Sequence, residues 1–187
     1  MAEHHVCPWW IGYLLASPIR RWISEAPERL LAPYLRQGMT VLEPGPGMGF
    51  FTIPLARMVG STGRIIAADI QPRMLESLNR RAAKAGLHNR IETRLAQPEQ
   101  MGLFDLNGAV DFVLAFAVVH EMPSAESFFR ETAAALKSGG LLLFAEPAGH
   151  VKLDGFQKEI DLAQKAGLTI IGRPSVRRSH AALLKKM

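Results

Sequence analysis

Between positions 40 and 51 the chain reads Thr-Val-Leu-Glu-Pro-Gly-Pro-Gly-Met-Gly-Phe-Phe. Few stretches leave so little choice of fold. Thr40 to Leu42 is short, β-branched and apolar, the composition of a buried strand, and Glu43 ends it. Gly45, Gly47 and Gly49 then stand at alternate positions. They force a tight turn in which bare main chain can approach a ligand. Phe51 to Val59 follows with apolar residues at helical spacing. Strand, glycine turn and helix in that order predict the first crossover of an open α/β sheet, where ligands bind outside the carboxyl ends of the strands.

The spacing excludes two familiar phosphate loops. In G-x-G-x-x-G counted from Gly45, the third glycine would fall on Phe50, which disfavours a nicotinamide dehydrogenase. A P-loop needs Lys followed by Ser or Thr, and neither stands after the second glycine. Glu43-x-Gly-x-Gly-x-Gly instead resembles the cofactor loop of the class I S-adenosylmethionine-dependent methyltransferases. That cofactor carries an ammonium and a sulfonium and no phosphate, so an acid at the strand end suits it better than an anion cradle. The resemblance implies that Glu43, Gly45, Gly47 and Gly49 seat the cofactor. A glycine turn that binds nothing is the bland alternative.

Further residues extend the resemblance. Arg64 to Ile70 reads as a second strand ending on Asp69, where a carboxylate can accept from a ribose diol and Ile70 can offer an apolar face to adenine. The plainer role for Asp69 is a cap on the helix expected over 72–85, whose polar side carries Arg73, Arg80, Arg81 and Lys84. A third strand spans 90–96. The family often has Gly-Asp after it; here the matching pair is Ala96-Gln97, and Gln97 can accept from the adenine amino group through its carbonyl. Pro98 to Leu103 reads as a short helix or turn. Val110 to Phe116 is a central apolar strand, and Phe116 at its end joins the expected cofactor residues.

The following Ala-Val-Val-His120-Glu121-Met-Pro lies, by the resemblance, beside the methyl group and its acceptor. It lacks the Asn/Asp-Pro-Pro-aromatic motif of enzymes acting on exocyclic or amide nitrogens, and is closer to small-molecule methyltransferases. His120 is the candidate general base, since its ordinary pKa lies near neutrality. Packing at the head of the next helix is its bland alternative. Glu121 and Glu146, the latter read as exposed, are weaker candidates.

Ser124 to Leu136 is an amphipathic helix with Phe128, Phe129, Ala133 and Leu136 inward, and Lys137-Ser-Gly-Gly140 reads as its terminator. A fifth strand over 141–147, a helix over 156–166 and two strands over 168–172 and 180–184 complete the pattern. The short joint between the last two predicts an antiparallel pair. The fold class expected is thus a Rossmann-like, doubly wound, seven-stranded and mostly parallel sheet with an antiparallel C-terminal pair.

Residues 1–38 read as a helical lead-in, with a short amphipathic helix over 28–35, and residues 39–187 as the cofactor-binding domain. Almost nothing lies between the fifth strand and the next helix, where relatives often insert a substrate lid. The lead-in is therefore the expected cover of the cleft, with a plain cap on the sheet edge, or closure of the site by a partner subunit, as the alternatives. Its Trp9, Trp10, Tyr13 and Trp22 read as packing, and His4, His5 and Cys7 form too small a cluster for a metal site.

Composition narrows the setting. With 187 residues, 48% of them hydrophobic and a net charge of +5, an ordinary globular domain is expected. One cysteine excludes an internal disulfide, no apolar run reaches membrane-spanning length, and no leader pattern opens the chain, so a cytoplasmic location is expected. The function expected is methyl transfer from S-adenosylmethionine to a small-molecule acceptor, with no metal and no membrane partner, in a chain that could form a homodimer. The alternatives are a cofactor-binding module without activity, or an RNA methyltransferase using Arg173, Arg177, Arg178, Lys185 and Lys186.

Overall fold

The computed structural model describes residues 26–187. The lead-in residues singled out above (His4, His5, Cys7, Trp9, Trp10, Tyr13 and Trp22) lie outside the described residues. Among the described residues, seven strands form a single sheet flanked by helices; numbered in chain order, they lie 3-2-1-4-5-7-6 across it. The chain divides into two compact units, one ending at Ala96 and one comprising Gln97–Met187.

The first unit holds α1 (Pro27–Leu31), β1 (Thr40–Pro44), α2 (Thr52–Met58), β2 (Arg64–Asp69), α3 (Pro72–Lys84) and β3 (Ile91–Leu95). The helix expected over 28–35 is shorter, because Pro33 lacks an N–H and Ala32 closes onto Glu28 O as the cap. β1, β2 and β3 pair in parallel, with Glu43 opposite Ala67 and Asp69 opposite Leu95. α3 starts on Pro72, whose fixed φ suits a first helical position. It ends at Gly86 (φ +68), which gives its N–H to Ala83 O while Leu87 N–H reaches Ala82 O. Only a left-handed residue closes a helix in that way.

The second unit holds β4 (Val110–Phe116), α4 (Ala125–Ala135), β5 (Leu136–Pro147), α5 (Leu153–Lys165), β6 (Leu168–Gly172) and β7 (Ser179–Lys186). β4 and β5 are parallel; β7 runs antiparallel to both β5 and β6, as the short 173–178 joint requires. Ser124 caps α4 by accepting the Ser127 N–H on its hydroxyl. Phe129 meets Phe144 edge to face at 5.3 Å and Phe144 stacks on Phe156 at 5.0 Å, which fixes α4 and α5 against β5.

Lys137-Ser-Gly-Gly140 does not terminate α4 as a glycine cap. The helix ends at Ala135, Leu136 is already extended, and it pairs with Val110. Pairing resumes only at Phe112 with Leu141, so residues 137–140 bulge out of the strand. Gly140 is needed for close approach: a Cβ there would lie 2.9 Å from Lys137 O and 3.2 Å from Val110 O. The Pro98–Leu103 stretch is a turn, in which Gln97 and Gln100 exchange backbone hydrogen bonds.

Candidate functional site

At the carboxyl end of β1 the three glycines do different work. Gly45 N–H donates to Ala68 O and so extends the ladder with β2. Gly49 has φ +88, and a Cβ on it would come within 2.5 Å of Leu78 Cδ1 on α3. Its lack of a side chain lets α3 pack against the loop. Gly47 has φ +53, but a Cβ there would meet nothing within 4 Å. That glycine leaves open space beside bare main chain, as a ligand cradle requires.

The loop has a brace that sequence reading passed over. Arg81, expected on the polar side of its helix, is half-buried and donates from Nη1 to Met48 O at 2.5 Å. Desolvation lowers its pKa from the ordinary arginine value. The signal available was position alone: Arg81 lies three residues beyond Leu78, hence on a neighbouring part of the α3 surface.

Glu43 heads the loop and is 4% exposed. Asp69, one strand over, accepts the Gln71 N–H on Oδ1 at 2.9 Å, so the capping role is real. A carboxylate offers about four lone-pair sites, and a cap leaves capacity for other donors. Ile70 beside it is 39% exposed, high for an apolar side chain at a strand end. Two acids, an open glycine cradle and an apolar flank suit a ligand with a cationic portion, a diol and a flat ring.

In the second unit, β4 ends at Phe116, which is half-buried, and Ala117 follows with φ 56. A left-handed alanine costs roughly 1–2 kcal/mol. It turns the chain into a 3-10 turn over Val119–Glu121, while its own N–H stays tied to Ala145 O at 2.8 Å. His120 sits on that turn. Its Nδ1 lies 2.5 Å from Glu146 Oε2, and Val119 N–H donates to Glu146 Oε1 at 2.8 Å. Glu146 is not exposed, as the sequence reading had it; it is wholly buried at the end of β5. Nothing local marks it, because its partners are 26 and 27 residues away.

The hydrogen bond that His120 gives to Glu146 raises the His120 pKa, and the charges of Glu146, Glu121 and Glu159 act the same way; burial opposes them. On α5, burial and the Glu146 charge push Glu159 up to about 7. His150 meets His120 edge to face at 5.5 Å. Gln97 is exposed in its own turn. Among the described residues no group of His, Cys, Asp and Glu could hold a metal. No described helix is long and apolar enough to cross a membrane. Of the cations considered for RNA, Lys186 donates to Leu136 O at 2.7 Å and Arg173 to Gln157 at 3.1 Å.

A family model described as a methyltransferase domain matches residues 35–173. The chain is 33% identical over 123 residues to a ubiquinone biosynthesis O-methyltransferase of Paramagnetospirillum magneticum, covering 63% of this chain and 43% of that one. It is 31% identical over 112 residues to a ubiquinone/menaquinone biosynthesis C-methyltransferase of Enterobacter sp., covering 60% and 44%. The chain thus matches less than half the length of these two curated relatives. A SAM-dependent methyltransferase from Aquifex aeolicus has the same fold, with TM-score 0.86 and 23% identity over 97% of this chain and all of that one. With the carboxylate-headed glycine loop, the acid one strand over and the antiparallel pair closing the sheet, the chain belongs to the methyltransferase-domain family of class I, whose cofactor is S-adenosylmethionine.

Proposed function

We propose that this chain transfers the methyl group of S-adenosylmethionine to a small-molecule acceptor. The observation that carries the proposal is the end of β1, where a buried acid leads into a loop whose middle glycine faces open space. These residues fit the cofactor on chemistry as well as shape. Glu43 would attract its ammonium portion, and the main chain at Gly45, Gly47 and Gly49 would lie along its methionine and ribose. Asp69 would take the ribose hydroxyls while keeping its cap, and Ile70 would cover adenine. Gln97 would accept from the adenine amino group, and Phe116 would border the cofactor.

The bound cofactor supplies an electrophilic methyl carbon on a sulfonium. What remains for the protein is orientation, exclusion of water and management of the acceptor's proton. His120 is the group proposed for that last task. The curated relatives are named for ubiquinone and menaquinone biosynthesis, one as an O-methyltransferase and one as a C-methyltransferase, which supports a small acceptor here. A cytoplasmic setting and a homodimeric assembly belong to the same proposal, and light scattering reads the second.

Calorimetry with S-adenosylmethionine and S-adenosylhomocysteine tests the cofactor. Binding in the micromolar range is expected, and none at millimolar concentration would overturn the proposal. Incubation of cell extract with radiolabelled cofactor then tests turnover; label in the small-molecule fraction is the expected result, and label in RNA would move the assignment.

A further inference from the structure

Glu146 is buried completely, and a carboxylate out of water is costly unless donors answer its oxygens. Both oxygens are answered by one turn. Oε1 takes the Val119 N–H and Oε2 bonds the His120 ring at Nδ1. Because a carboxylate only accepts, this contact places a proton on Nδ1 of the neutral ring. The other nitrogen, Nε2, is then the acceptor, and it stands 4.0 Å from Glu121 Oε1, beyond hydrogen-bond distance. A histidine serving only to fill space at a helix head would need neither a fixed tautomer nor a buried acid behind it.

We propose that Glu146 is a positioning residue that holds His120 with Nε2 as its proton-accepting nitrogen, and that the acceptor methylated by this chain is a small molecule presenting a hydroxyl. The inference rests on the methyl-transfer reading above. A carbon–oxygen bond forms between the acceptor hydroxyl and the methyl group. The methyl–sulfur bond of the sulfonium donor breaks with its electron pair going to sulfur. The hydroxyl proton passes to His120 Nε2, and the imidazolium is stabilised by Glu146 until it returns the proton to water. A neutral amine attacks through a lone pair it already has and would not need a base fixed in this way.

The groups facing His120 are Glu121 on its own turn, Glu146 on β5, Glu159 on α5 and His150 after β5. His180 stands opposite Glu146 on β7. With the His120 pKa raised above 6.5, the base form gains as pH rises past neutrality, and turnover should rise with it.

Nitrogen-15 NMR of the full chain without cofactor reads the tautomer and midpoint of His120, assigned with His120→Gln. An Nδ1–H ring is expected in the native protein; an Nε2–H ring would overturn the proposal without any variant having to fold. In Glu146→Gln the His120 midpoint should fall, because the charged hydrogen-bond partner that raises it is gone. The kcat should drop about a hundredfold with KM for the acceptor and cofactor affinity little changed, and Glu146→Asp should recover part of it. Unchanged midpoint and kcat would defeat the positioning role. Transfer of a carbon-13 methyl group into cell extract decides the acceptor: a methoxy resonance is expected, and an N-, S- or C-methyl product overturns the hydroxyl assignment. Failure to bind S-adenosylmethionine would instead sink the methyl-transfer reading and leave the tautomer result standing.

Discussion

Glu43 and Glu146 occupy matching places in their units. Each is a buried acid near the end of a parallel strand, each is followed by proline, and each stands beside a turn with left-handed backbone. Their surroundings differ in kind. Glu43 opens a loop whose working parts are consecutive and mostly main chain. Glu146 belongs to a side-chain network drawn from β5, the 119–121 turn and α5. The first is a matter of backbone shape, so it is broken by adding atoms. The second is a matter of proton placement, so it is broken by changing one polar atom while keeping the volume.

The largest effect should come from adding atoms to the loop. Gly49→Val adds a side chain at φ +88 and 2.5 Å from Leu78, against α3. A loss of about 3 kcal/mol or more in denaturant unfolding is expected, together with loss of cofactor binding. Gly86→Ala is the control: the same left-handed backbone with nothing within 4 Å should cost only about 1 kcal/mol and spare binding.

Next is His120→Gln, expected to lower kcat by roughly 10²–10⁴ while calorimetric cofactor affinity stays the same. Equal loss of both would mean that the two regions are not separable in function. Asp69 comes third, because its cap and its proposed ribose contact can be told apart. Asp69→Asn keeps an oxygen for Gln71 N–H, so unfolding should change little; cofactor affinity should weaken by about 1–2 kcal/mol in calorimetry. Asp69→Ala should lose both.

Glu159 sharpens the comparison through pH. Its carboxyl titrates near 7 in the fold and near 4.5 when free, so between those values the native state holds a proton that the unfolded state does not. Stability from this group is therefore lost as pH rises from about 4.5 to 7. Glu159→Gln should unfold at a higher denaturant concentration than the native protein at pH 8 and at nearly the same one at pH 5. His120 contributes with a like slope: its raised pKa gives stability that is full below 6.5 and declines as pH passes the folded value. The smallest effect belongs to Lys137 and Asp111, paired at 2.5 Å in an exposed setting. Lys137→Met should shift stability by less than about 0.5 kcal/mol.

The legible parts of this chain are those whose chemistry is local. The glycine turn after β1 and the capping carboxylate of Asp69 act within a few residues of themselves, and spacing finds them. The bulge at 137–140 was not legible, since helix termination and a strand bulge use the same glycines; only the pairing of Leu136 with Val110 separates them. Arg81 reads as a solvated cation until the Met48 carbonyl is seen beneath it.

By itself, the sequence determined the order of elements, the parallel sheet with its antiparallel end and, through its resemblance to a known family, the loop suited to S-adenosylmethionine. The first two follow from steric limits on neighbouring residues and from the period of apolar side chains. Only the tertiary structure decided that Glu146 is buried, that it grips His120 at Nδ1 and that Glu159 stands close enough to feel both. Burial and long-range pairing depend on how distant strands and helices meet, and a tautomer or a shifted pKa is fixed by those neighbours in space.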